Sequence, residues 1–500
     1  MKITIPKSKN LALQTLCQNN KTLDFITDDT RELDAHSLLV RTKSNETFID
    51  NFLQKDFAKN TKIKTQDLLP NIISPKKLAS IFAPLPSIIG ITGTNGKTTT
   101  AAIVYSMLLD LGFSCALFGT RGAYKNDTKI RPKGLTTPSL LELYALLDEC
   151  RECDFVVMEV SSHAICQERI AGLDFVAKVL TNITSDHLDY HKILEEYIRV
   201  KNHFLLDEKT IANGGSVIIN ADEPNAIFNQ NALYYGIENA KINTKQVNLK
   251  ANAYSLDNGI SAHISFENEL ERQQAIMEAN LYGKHNLYNA LAAILCVKSL
   301  QNLTNKKSPT SNPLKSLDSI VATLQHFGGV EGRMEVVSQN PLIIVDFAHT
   351  HDGMEQIFSS FKGREIVAVF GAGGDRDKTK RPKMGLCAYK YAKKLYITSD
   401  NPRSENPQEI INDIISGIPT NALDLGLACK KSEAAQQREI ICEVDRKVAI
   451  TKAIQNLAEN EILLILGKGD ETYQILGDKS IHFDDREVVK EVLASLGQKS

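Results

Sequence analysis

The sequence predicts an α/β protein of three domains, and three observations lead to this prediction. The chain has 500 residues and 42% apolar content, which exceeds what one core uses when a domain has ~150 residues. Short β-branched runs such as 217–219 alternate with helix-like stretches such as 101–111, a pattern typical of parallel strands joined by crossover helices. An apolar strand at 88–92 also runs directly into a glycine-bounded loop and a helix.

The first predicted domain, residues 1–86, is a small α/β domain. It mixes short apolar runs with polar turns, and Pro75, Pro84 and Pro86 break regular structure at its end. The second, residues 87–327, contains the glycine-bounded loop and the alternating strands and helices of a central parallel sheet.

The third predicted domain, residues 328–500, begins at the pair Gly328-Gly329, which follows the polar stretch Asn302 to Pro313 and the segment Leu314 to Phe327. Four apolar strands alternate with helical segments there, which predicts a Rossmann-like, doubly wound sheet. These strands lie at 342–345, 366–370, 395–397 and 462–466.

Composition limits the classes of partner. The chain has 58 basic and 60 acidic side chains, a net charge of -2 and no basic block, which argues against nucleic acid and membrane surfaces and favours small molecules. The start has no signal-peptide pattern and no apolar run approaches ~20 residues, so we expect a cytoplasmic protein without membrane insertion. We also expect a monomer. The nine cysteines predict no disulfide framework. Cys150 and Cys153 have redox or half-zinc spacing but no second pair, which favours packing.

The loop Gly93-Thr94-Asn95-Gly96-Lys97-Thr98-Thr99 is the strongest indication of chemistry. Glycines let backbone N–H groups approach phosphate oxygens, Lys97 supplies a point charge, and the Thr98 hydroxyl can ligate Mg²⁺ at a helix N-terminus. The loop departs from the usual phosphate-loop pattern, because Gly93 is too close to Gly96-Lys97 and Gly90 is one residue too far. A simple glycine-rich turn before a helix is the alternative.

Two further strand ends carry polar groups. Glu159 follows the strand 155–158, and its carboxylate would suit Mg²⁺, which prefers oxygen ligands beside substrate phosphates, unless it is a solvated loop carboxylate. The segment 181–191 crowds titratable residues, including His187 and His191, after another apolar strand. These histidines are either ligands or surface residues.

Nine motifs resemble the Mur ligases and occur in that family's order, over essentially the whole chain. They are 93–99 (GTNGKTT), 158–163 (MEVSSH), 181–191 (TNITSDHLDYH), 282–289 (YGKHNLYN), 332–335 (GRME), 345–350 (VDFAHT), 373–378 (GGDRDK), 400–403 (DNPR) and 467–471 (GKGDE). The resemblance implies ATP-dependent amide-bond formation in cytoplasmic peptidoglycan precursor synthesis. In such a reaction a carboxylate attacks the γ-phosphate of ATP, and an amine then displaces phosphate from the acyl phosphate.

The resemblance also implies a metal site. Thr98, Glu159 and His187 would bind magnesium, and Lys201 matches a lysine that the family carbamylates with CO₂. A carbamate would turn this cation into an anionic oxygen ligand, whereas periodicity alone indicates an ordinary exposed helix lysine. With Lys97, the residues Glu159, His187 and Lys201 form the implied catalytic set.

Further residues are assigned to substrates by the resemblance alone. ATP would contact Gly93, Thr94, Asn95, Gly96, Lys97, Thr98, Thr99, His285, Asn286, Asn289, Arg333 and Asp346, with domain closure completing the site. UDP-N-acetylmuramoyl-L-alanyl-D-glutamate would contact Thr30, Thr136, Thr137, Ser161, Gln167 and Arg169, whose hydroxyls and guanidinium suit an anionic sugar peptide. Family members commonly have serine where Thr30 stands.

The amine substrate that the resemblance implies is meso-diaminopimelate. Its contacts would be Arg376, Asp400, Asn401, Pro402, Arg403, Gly467 and Glu471. Diaminopimelate has one more carboxylate than lysine, and the guanidinium of Arg403 can bind that group with two parallel hydrogen bonds. Taken alone, 400–403 could be a simple turn, and Asp470 stands where the family usually has histidine.

Three alternatives stay open at this point. One is a lysine-adding relative, and another is a folylpolyglutamate synthase; Arg403, Thr30 and Arg169 argue against both. The third, from a different class, is a nucleotide-gated binding or scaffold protein that keeps only the phosphate loop.

Overall fold

The structure of the protein is a computed structural model, and it describes residues 2–5, 23–33, 36–54, 72–206, 208–238, 241–242, 245–257, 259–304, 313–419 and 438–497. Most of the polar stretch Asn302 to Pro313, on which the second predicted boundary depends, lies outside the described residues. Among the described helices, none is long and apolar enough to cross a membrane.

The N-terminal segment forms a four-stranded sheet in which the strand order follows the chain. Its first pair is antiparallel and the other pairs are parallel. The elements are strands β1 (Lys2–Thr4), β2 (Phe25–Thr27), β3 (Ser37–Val40) and β4 (Ile72–Ile73), helices α1 (Glu46–Gln54) and α2 (Lys76–Phe82), and the 3-10 helix Thr30–Glu32.

The central segment is built on an eleven-stranded sheet. Its first eight strands are β5 (Ser87–Thr92), β6 (Cys115–Gly119), β7 (Gly122–Lys125), β8 (Thr128–Arg131), β9 (Phe155–Glu159), β10 (Phe175–Leu180), β11 (Ser216–Asn220) and β12 (Leu233–Gly236). A separate hairpin of β13 (Lys241–Ile242) and β14 (Lys245–Gln246) follows in the chain. The last three strands of the sheet are β15 (Leu249–Ser255), β16 (Ile260–Glu267) and β17 (Arg272–Ala279). The order is β17-β16-β15-β12-β11-β10-β5-β9-β6-β7-β8, so β5 lies between β10 and β9 and is parallel to both.

Helices lie between these strands and after the last of them. They are α3 (Lys97–Asp110), α4 (Leu140–Glu149), α5 (Ser162–Cys166), α6 (Leu188–His191), α7 (Leu194–Leu205), α8 (Glu208–Ala212), α9 (Lys284–Ser299), α10 (Gln301–Thr304) and α11 (Leu317–Ala322), with 3-10 turns at Pro313–Lys315 and Thr323–His326. Strand β5 is buried from Ile88 to Thr92, as expected for a strand covered on both faces, and each buried isoleucine contributes roughly 1.5–3 kcal/mol of burial free energy. The predicted strands at 88–92, 155–158 and 217–219 are confirmed.

The C-terminal segment has a six-stranded sheet in the order β18-β19-β23-β20-β21-β22, parallel except for β18. Its strands are β18 (Glu335–Gln339), β19 (Leu342–Asp346), β20 (Glu365–Phe370), β21 (Lys394–Thr398), β22 (Glu439–Glu443) and β23 (Glu461–Leu466), and the hairpin β24 (Tyr473–Leu476) with β25 (Lys479–His482) follows. Its helices are α12 (His351–Ser359), α13 (Lys380–Tyr391), α14 (Pro407–Ile415), α15 (Arg446–Gln455) and α16 (Asp485–Gly497).

Alternating side chains of this sheet enter two cores. In β23, Ile462 and Leu464 pack with residues of α12, α13 and α14, whereas Leu463 and Ile465 pack with residues of α15 and α16. Helices therefore cover both faces, and the predicted α/β class with a doubly wound C-terminal sheet is confirmed.

The chain forms two compact units. The first comprises Met1–Tyr254, Ala262–Glu278 and Tyr288–Phe327, and the second comprises Ser255–Ser261, Ala279–Leu287 and Gly328–Ser500. The three predicted domain limits stay a prediction. Seven cysteines lie in the described part of the chain and all are free thiols, with Cys150 and Cys153 buried as packing predicts.

Candidate active site

The loop that follows β5 lies at the carboxyl edge of the central sheet, where parallel sheets bind ligands. Gly93 and Gly96 adopt φ of +151° and +81°, which other residues rarely do. A Cβ at Gly93 would also overlap the Thr181 hydroxyl, and one at Gly96 would overlap the Asn289 amide. Helix α3 begins at Lys97, so its N-terminus adjoins the loop as the sequence predicts.

Residues after β10 hold this loop in place. The backbone N–H of Thr94 donates to the Asn182 carbonyl at 2.8 Å, and that of Asn95 donates to Asn182 Oδ1 at 2.9 Å. Thr181 Oγ1 donates to the Asn95 carbonyl at 2.6 Å, and the Thr184 N–H donates to Thr94 Oγ1 at 2.9 Å. The segment 181–184 therefore fixes the loop, a role that its composition does not indicate.

Two lysines meet at the carbonyl of Gly93. Lys97 Nζ donates to it at 2.8 Å and to the Thr94 carbonyl at 2.9 Å, and Lys201 Nζ donates to the Gly93 carbonyl at 2.7 Å. Lys201 is only 1% exposed, in contrast to the exposed helix lysine that periodicity indicates. Burial lowers the pKa of Lys201 well below its ordinary value, and the nearby charge of Lys97 lowers this pKa further.

Glu159 is buried at the end of β9 and accepts three hydrogen bonds. Its Oε2 accepts from the Thr98 hydroxyl at 2.9 Å and the Thr120 hydroxyl at 3.2 Å, and its Oε1 accepts from the Thr120 N–H at 2.9 Å. The solvated-carboxylate alternative is therefore wrong. The Thr98 hydroxyl, which directly follows the loop in the chain, therefore lies beside a carboxylate oxygen of Glu159. This pair of oxygen donors suits Mg²⁺.

Tyr197 connects the other two predicted metal ligands to the loop. Its hydroxyl lies 3.0 Å from Thr94 Oγ1, and its ring centroid lies 4.8 Å from Lys201 Nζ and 6.4 Å from the His187 ring. His187 is exposed, has φ of +54° and packs against the His163 ring at 5.0 Å. No group of three His, Cys, Asp or Glu side chains is arranged to hold a metal within the described ranges.

Five of the six residues predicted for the sugar peptide form one hydrogen-bonded group beside Glu159. Thr137 Oγ1 donates to the Glu159 carbonyl at 2.9 Å and accepts from the Ser161 N–H at 3.0 Å, while Arg169 donates to the Thr137 carbonyl at 3.0 Å. Arg169 Nε donates to Gln167 Oε1 at 2.9 Å, and Thr136 Oγ1 lies 3.1 Å from Thr120 Oγ1, within hydrogen-bonding distance.

Thr30 differs from the other five. It begins the 3-10 helix Thr30–Glu32, whose preceding residue Asp29 caps the helix through the Arg31 N–H. In the part of the chain that the structure describes, no hydrogen bond joins Thr30 to the group around Thr137.

The remaining residues predicted for ATP occupy several local environments. Asn286 Nδ2 donates to the Tyr282 carbonyl at 2.9 Å, and Asn289 Oδ1 accepts from the Thr100 hydroxyl at 3.3 Å. The Arg333 guanidinium lies 4.5 Å from the Phe347 ring centroid.

Two of the predicted ATP residues are titratable groups whose pKa is shifted by burial. Asp346 accepts from the Met334 and Ala348 N–H groups at 2.7 and 2.6 Å, and burial raises its pKa. Packing around the ring lowers the pKa of His285 to about 4, although the residue keeps some exposed surface.

The residues predicted for the amine substrate lie after β20, β21 and β23, which are neighbours in the C-terminal sheet. Asn401 Nδ2 donates to Glu471 Oε2 at 2.8 Å, and the Gly374 N–H donates to the Asn401 carbonyl at 2.9 Å. Arg403 has φ of +53°, and its Nη1 donates to the Gly374 carbonyl at 2.6 Å. The 400–403 segment is thus more than a simple turn, because it joins both neighbouring loops.

Sequence reasoning missed several supporting residues. Lys468 is fully buried and donates to Glu471 Oε2 at 3.1 Å and to the Tyr473 carbonyl at 2.6 Å. The position of Lys468 between two glycines of a motif could have indicated its role. Tyr197 could have been found because it lies four residues before Lys201, on the same face of the helix. Thr120 gave no signal.

Comparison with known proteins defines the class. The Mur ligase middle domain matches residues 91–297, and the Mur ligase, glutamate ligase domain matches residues 332–469. The chain belongs to the Mur ligase family.

Two curated relatives carry the name "UDP-N-acetylmuramoyl-L-alanyl-D-glutamate--2,6-diaminopimelate ligase". The protein from Helicobacter hepaticus is 51% identical over 463 residues, covering 92% of this chain and 90% of the relative. The protein from Helicobacter pylori is 45% identical over 495 residues, covering 97% of this chain and 99% of the relative.

Solved structures support the fold alone. A structure described as that of a UDP-N-acetylmuramoyl-L-alanyl-D-glutamate--2,6-diaminopimelate ligase is similar with a TM-score of 0.62 at 22% identity, covering 99% of this chain and 100% of that one. A UDP-N-acetylmuramate-alanine ligase from Thermotoga maritima is similar with a TM-score of 0.53 at 15% identity, covering 93% of this chain and 94% of that one.

Proposed function

We propose that this chain is the ligase that adds meso-diaminopimelate to UDP-N-acetylmuramoyl-L-alanyl-D-glutamate with ATP, in peptidoglycan precursor synthesis. The relatives of that name, 51% and 45% identical over nearly the full length of both chains, support the substrates. The observation that carries the reaction class is the Thr98 hydroxyl paired at 2.9 Å with the buried Glu159 carboxylate, directly after a glycine-bounded loop.

The reaction has two steps. The carboxylate of the D-glutamate residue attacks the γ-phosphorus of ATP, so that ADP leaves and an acyl phosphate forms. The amine of diaminopimelate then attacks the acyl carbon, and phosphate leaves from the tetrahedral intermediate as the amine loses a proton. This chemistry needs charge stabilisation and positioning more than a protein nucleophile, and Lys97 with the N–H groups at the start of α3 would supply both.

Thr98, Glu159, His187 and a carbamylated Lys201 are the proposed magnesium ligands. Mg²⁺, when bound, neutralises negative charge on the transferring phosphoryl group. Support for the carbamate is the burial of Lys201 together with the nearness of Lys97, since both side chains donate to the Gly93 carbonyl and the Lys97 cation would offset the charge of an anionic carbamate. Native mass spectrometry at mild pH should find one added CO₂ in the active enzyme, and Lys201→Met should lose it; an unmodified, fully active Lys201 would contradict this assignment.

Substrate contacts are proposed for two clusters. The group of Thr136, Thr137, Ser161, Gln167 and Arg169, with Thr30, would bind the sugar peptide, and its guanidinium and hydroxyls suit diphosphate and carboxylates. Arg376, Asp400, Asn401, Pro402, Arg403, Gly467 and Glu471 would bind diaminopimelate. The ATP residues beyond the loop, His285, Asn286, Asn289, Arg333 and Asp346, are part of the same proposal. A cytoplasmic monomer is proposed as well.

The test is formation of product with each substrate omitted in turn. ATP, Mg²⁺, UDP-N-acetylmuramoyl-L-alanyl-D-glutamate and meso-diaminopimelate together should give ADP, phosphate and a product whose mass equals both substrates minus one water. Omission of any one component should stop product formation. ATP hydrolysis that proceeds equally without the sugar peptide and the amine would instead indicate a nucleotide switch.

A further inference from the structure

Arg381 is a buried cation that none of the sequence motifs assigns to a substrate. It lies in the first turn of α13, its side chain is 1% exposed, and its guanidinium reaches three different segments. Nη1 and Nη2 bind the two carboxylate oxygens of Glu405 at 3.0 and 2.9 Å. Nη2 also donates to the Gly373 carbonyl at 3.1 Å, and Nη1 to Asp413 Oδ2 at 2.8 Å.

Glu405 extends this contact to the loop after β20. Its Oε1 accepts from the Asp375 N–H at 2.6 Å, and its Oε2 pairs with Lys378 Nζ at 3.0 Å. The Asp375 carboxylate in turn accepts from the Ser404 hydroxyl at 2.6 Å and the Ser404 N–H at 3.2 Å. Arg381 and Glu405 therefore join the 373–376 loop to the 400–405 loop.

Arg403 lies between these two loops. Its side chain donates to the Gly374 carbonyl at 2.6 Å, one residue from the Gly373 carbonyl that Arg381 holds. Its backbone N–H donates to the Ile475 carbonyl at 3.1 Å, and its carbonyl accepts from the Gly477 N–H at 2.8 Å, which holds its left-handed conformation from the other side. The direction in which the Arg403 guanidinium points therefore depends on where Arg381 and Glu405 hold Gly373 and Asp375.

We propose that Arg381 and Glu405 are positioning residues that aim Arg403 at the second carboxylate of diaminopimelate and so set the preference for this amine over lysine. This inference rests on the proposed function. A buried guanidinium that binds a carboxylate with two parallel hydrogen bonds is a rigid link, because its paired N–H donors form a planar fork. A lysine at position 381 would be a point charge without this fork. A displacement of about 1 Å in a binding group can change rates by ~100-fold, so a rigid link matters here.

Glu405→Gln is the most informative variant because it preserves size. Both oxygens of Glu405 accept from donors, so the amide NH₂ would face a donor in either orientation. Arg381→Lys keeps the charge and removes the fork. Asp413→Asn is the matched control, since Asp413 binds the same guanidinium from helix α14 and, among the described residues, its side chain makes no hydrogen bond to either loop.

The measurement is steady-state kinetics of phosphate release with the full chain, varying each substrate in turn. Glu405→Gln and Arg381→Lys should raise the KM for meso-diaminopimelate roughly 10-fold or more and lower the diaminopimelate-to-lysine ratio of kcat/KM by a similar factor. The KM values for ATP and the sugar peptide should stay within about 2-fold, as should all constants of Asp413→Asn.

Three results would overturn the inference. Equal changes in all three KM values would indicate a purely structural role, as would Asp413→Asn behaving like Glu405→Gln. Unchanged kinetics in Glu405→Gln would also contradict the inference. If Arg381→Lys does not fold, the kinetics of Glu405→Gln alone decide whether the inference holds. Absence of turnover by the wild-type chain with diaminopimelate would instead contradict the proposed function, so the two failures are distinguishable.

Discussion

Replacing Arg403 with alanine should remove the binding of one end of diaminopimelate and little else. The half-buried guanidinium donates one hydrogen bond, to Gly374, among the residues that the structure describes, which leaves N–H groups for a substrate carboxylate. Two charge-assisted hydrogen bonds to that carboxylate contribute ~1.5 kcal/mol each, at the low end of the usual range because the site is partly exposed. Their loss, about 3 kcal/mol, corresponds to a fall of ~150-fold in kcat/KM.

The assay compares kcat/KM for meso-diaminopimelate, L-lysine and ATP in the wild type and in Arg403→Ala. L-lysine lacks the second carboxylate, so its kcat/KM should change by less than about 3-fold, and the KM for ATP should change equally little. A matched variant, Arg403→Lys, should recover only part of the loss, because an ammonium has no fork. Parallel losses for both amines, or an equal rise in the KM for ATP, would refute the reasoning.

Three other variants test the loop, the metal site and the buried ion pair. Lys97→Ala should lower ATP turnover by roughly 100-fold or more, because the ammonium that stabilises the negative charge of the phosphates is lost. Its circular dichroism spectrum and melting temperature should stay close to those of the wild type, which would show that the fold is intact. Gly119→Ala should raise the Mg²⁺ concentration for half-maximal activity by about 10-fold, because a Cβ there would overlap Glu159 Oε1, whereas Gly134→Ala, with no atom within 4 Å of its Cβ, should not. Glu405 should stabilise the fold in a pH-dependent way: the hydrogen bond from Arg381 lowers its pKa from 4.5 to about 2, so its stabilisation is complete above pH 4.5 and is lost as the pH falls toward 2. The difference in melting temperature between the wild type and Glu405→Gln should therefore disappear over that range.

The central strands and the loop could be predicted from the sequence because their signals are local. Strand β5 is a continuous apolar run, and the glycines and Lys97 follow it directly. The same is true of 400–403, which follows the apolar strand β21. A residue type at a fixed distance from a strand end predicts position well, since parallel strands all end at one edge of the sheet.

The supporting contacts could not be predicted, because they depend on strand order. Thr120 binds Glu159, 39 residues away, only because β6 pairs with β9. Arg381 meets Glu405 and Asp413, 24 and 32 residues away, only because α13 packs beside α14. No periodicity in the sequence indicates these pairs.

The burial of Lys201 is a second example. Its helix α7 has an ordinary amphipathic pattern, and a lysine among charged neighbours such as Glu196 and Arg199 resembles an exposed residue. The helix packs so that Tyr197 and Lys201 face the loop, while Glu196 and Arg199 pair with each other at the surface. Which face of a helix meets a loop is a tertiary property, and only the family resemblance pointed to it.

The most direct test of the proposed function is phosphate release by the wild-type chain with ATP, Mg²⁺ and UDP-N-acetylmuramoyl-L-alanyl-D-glutamate, comparing meso-diaminopimelate with L-lysine at equal concentration. We expect release with diaminopimelate and little or none with lysine. Equal or faster release with lysine would contradict the assignment of Arg403, and the absence of release with either amine would contradict the ligase assignment itself.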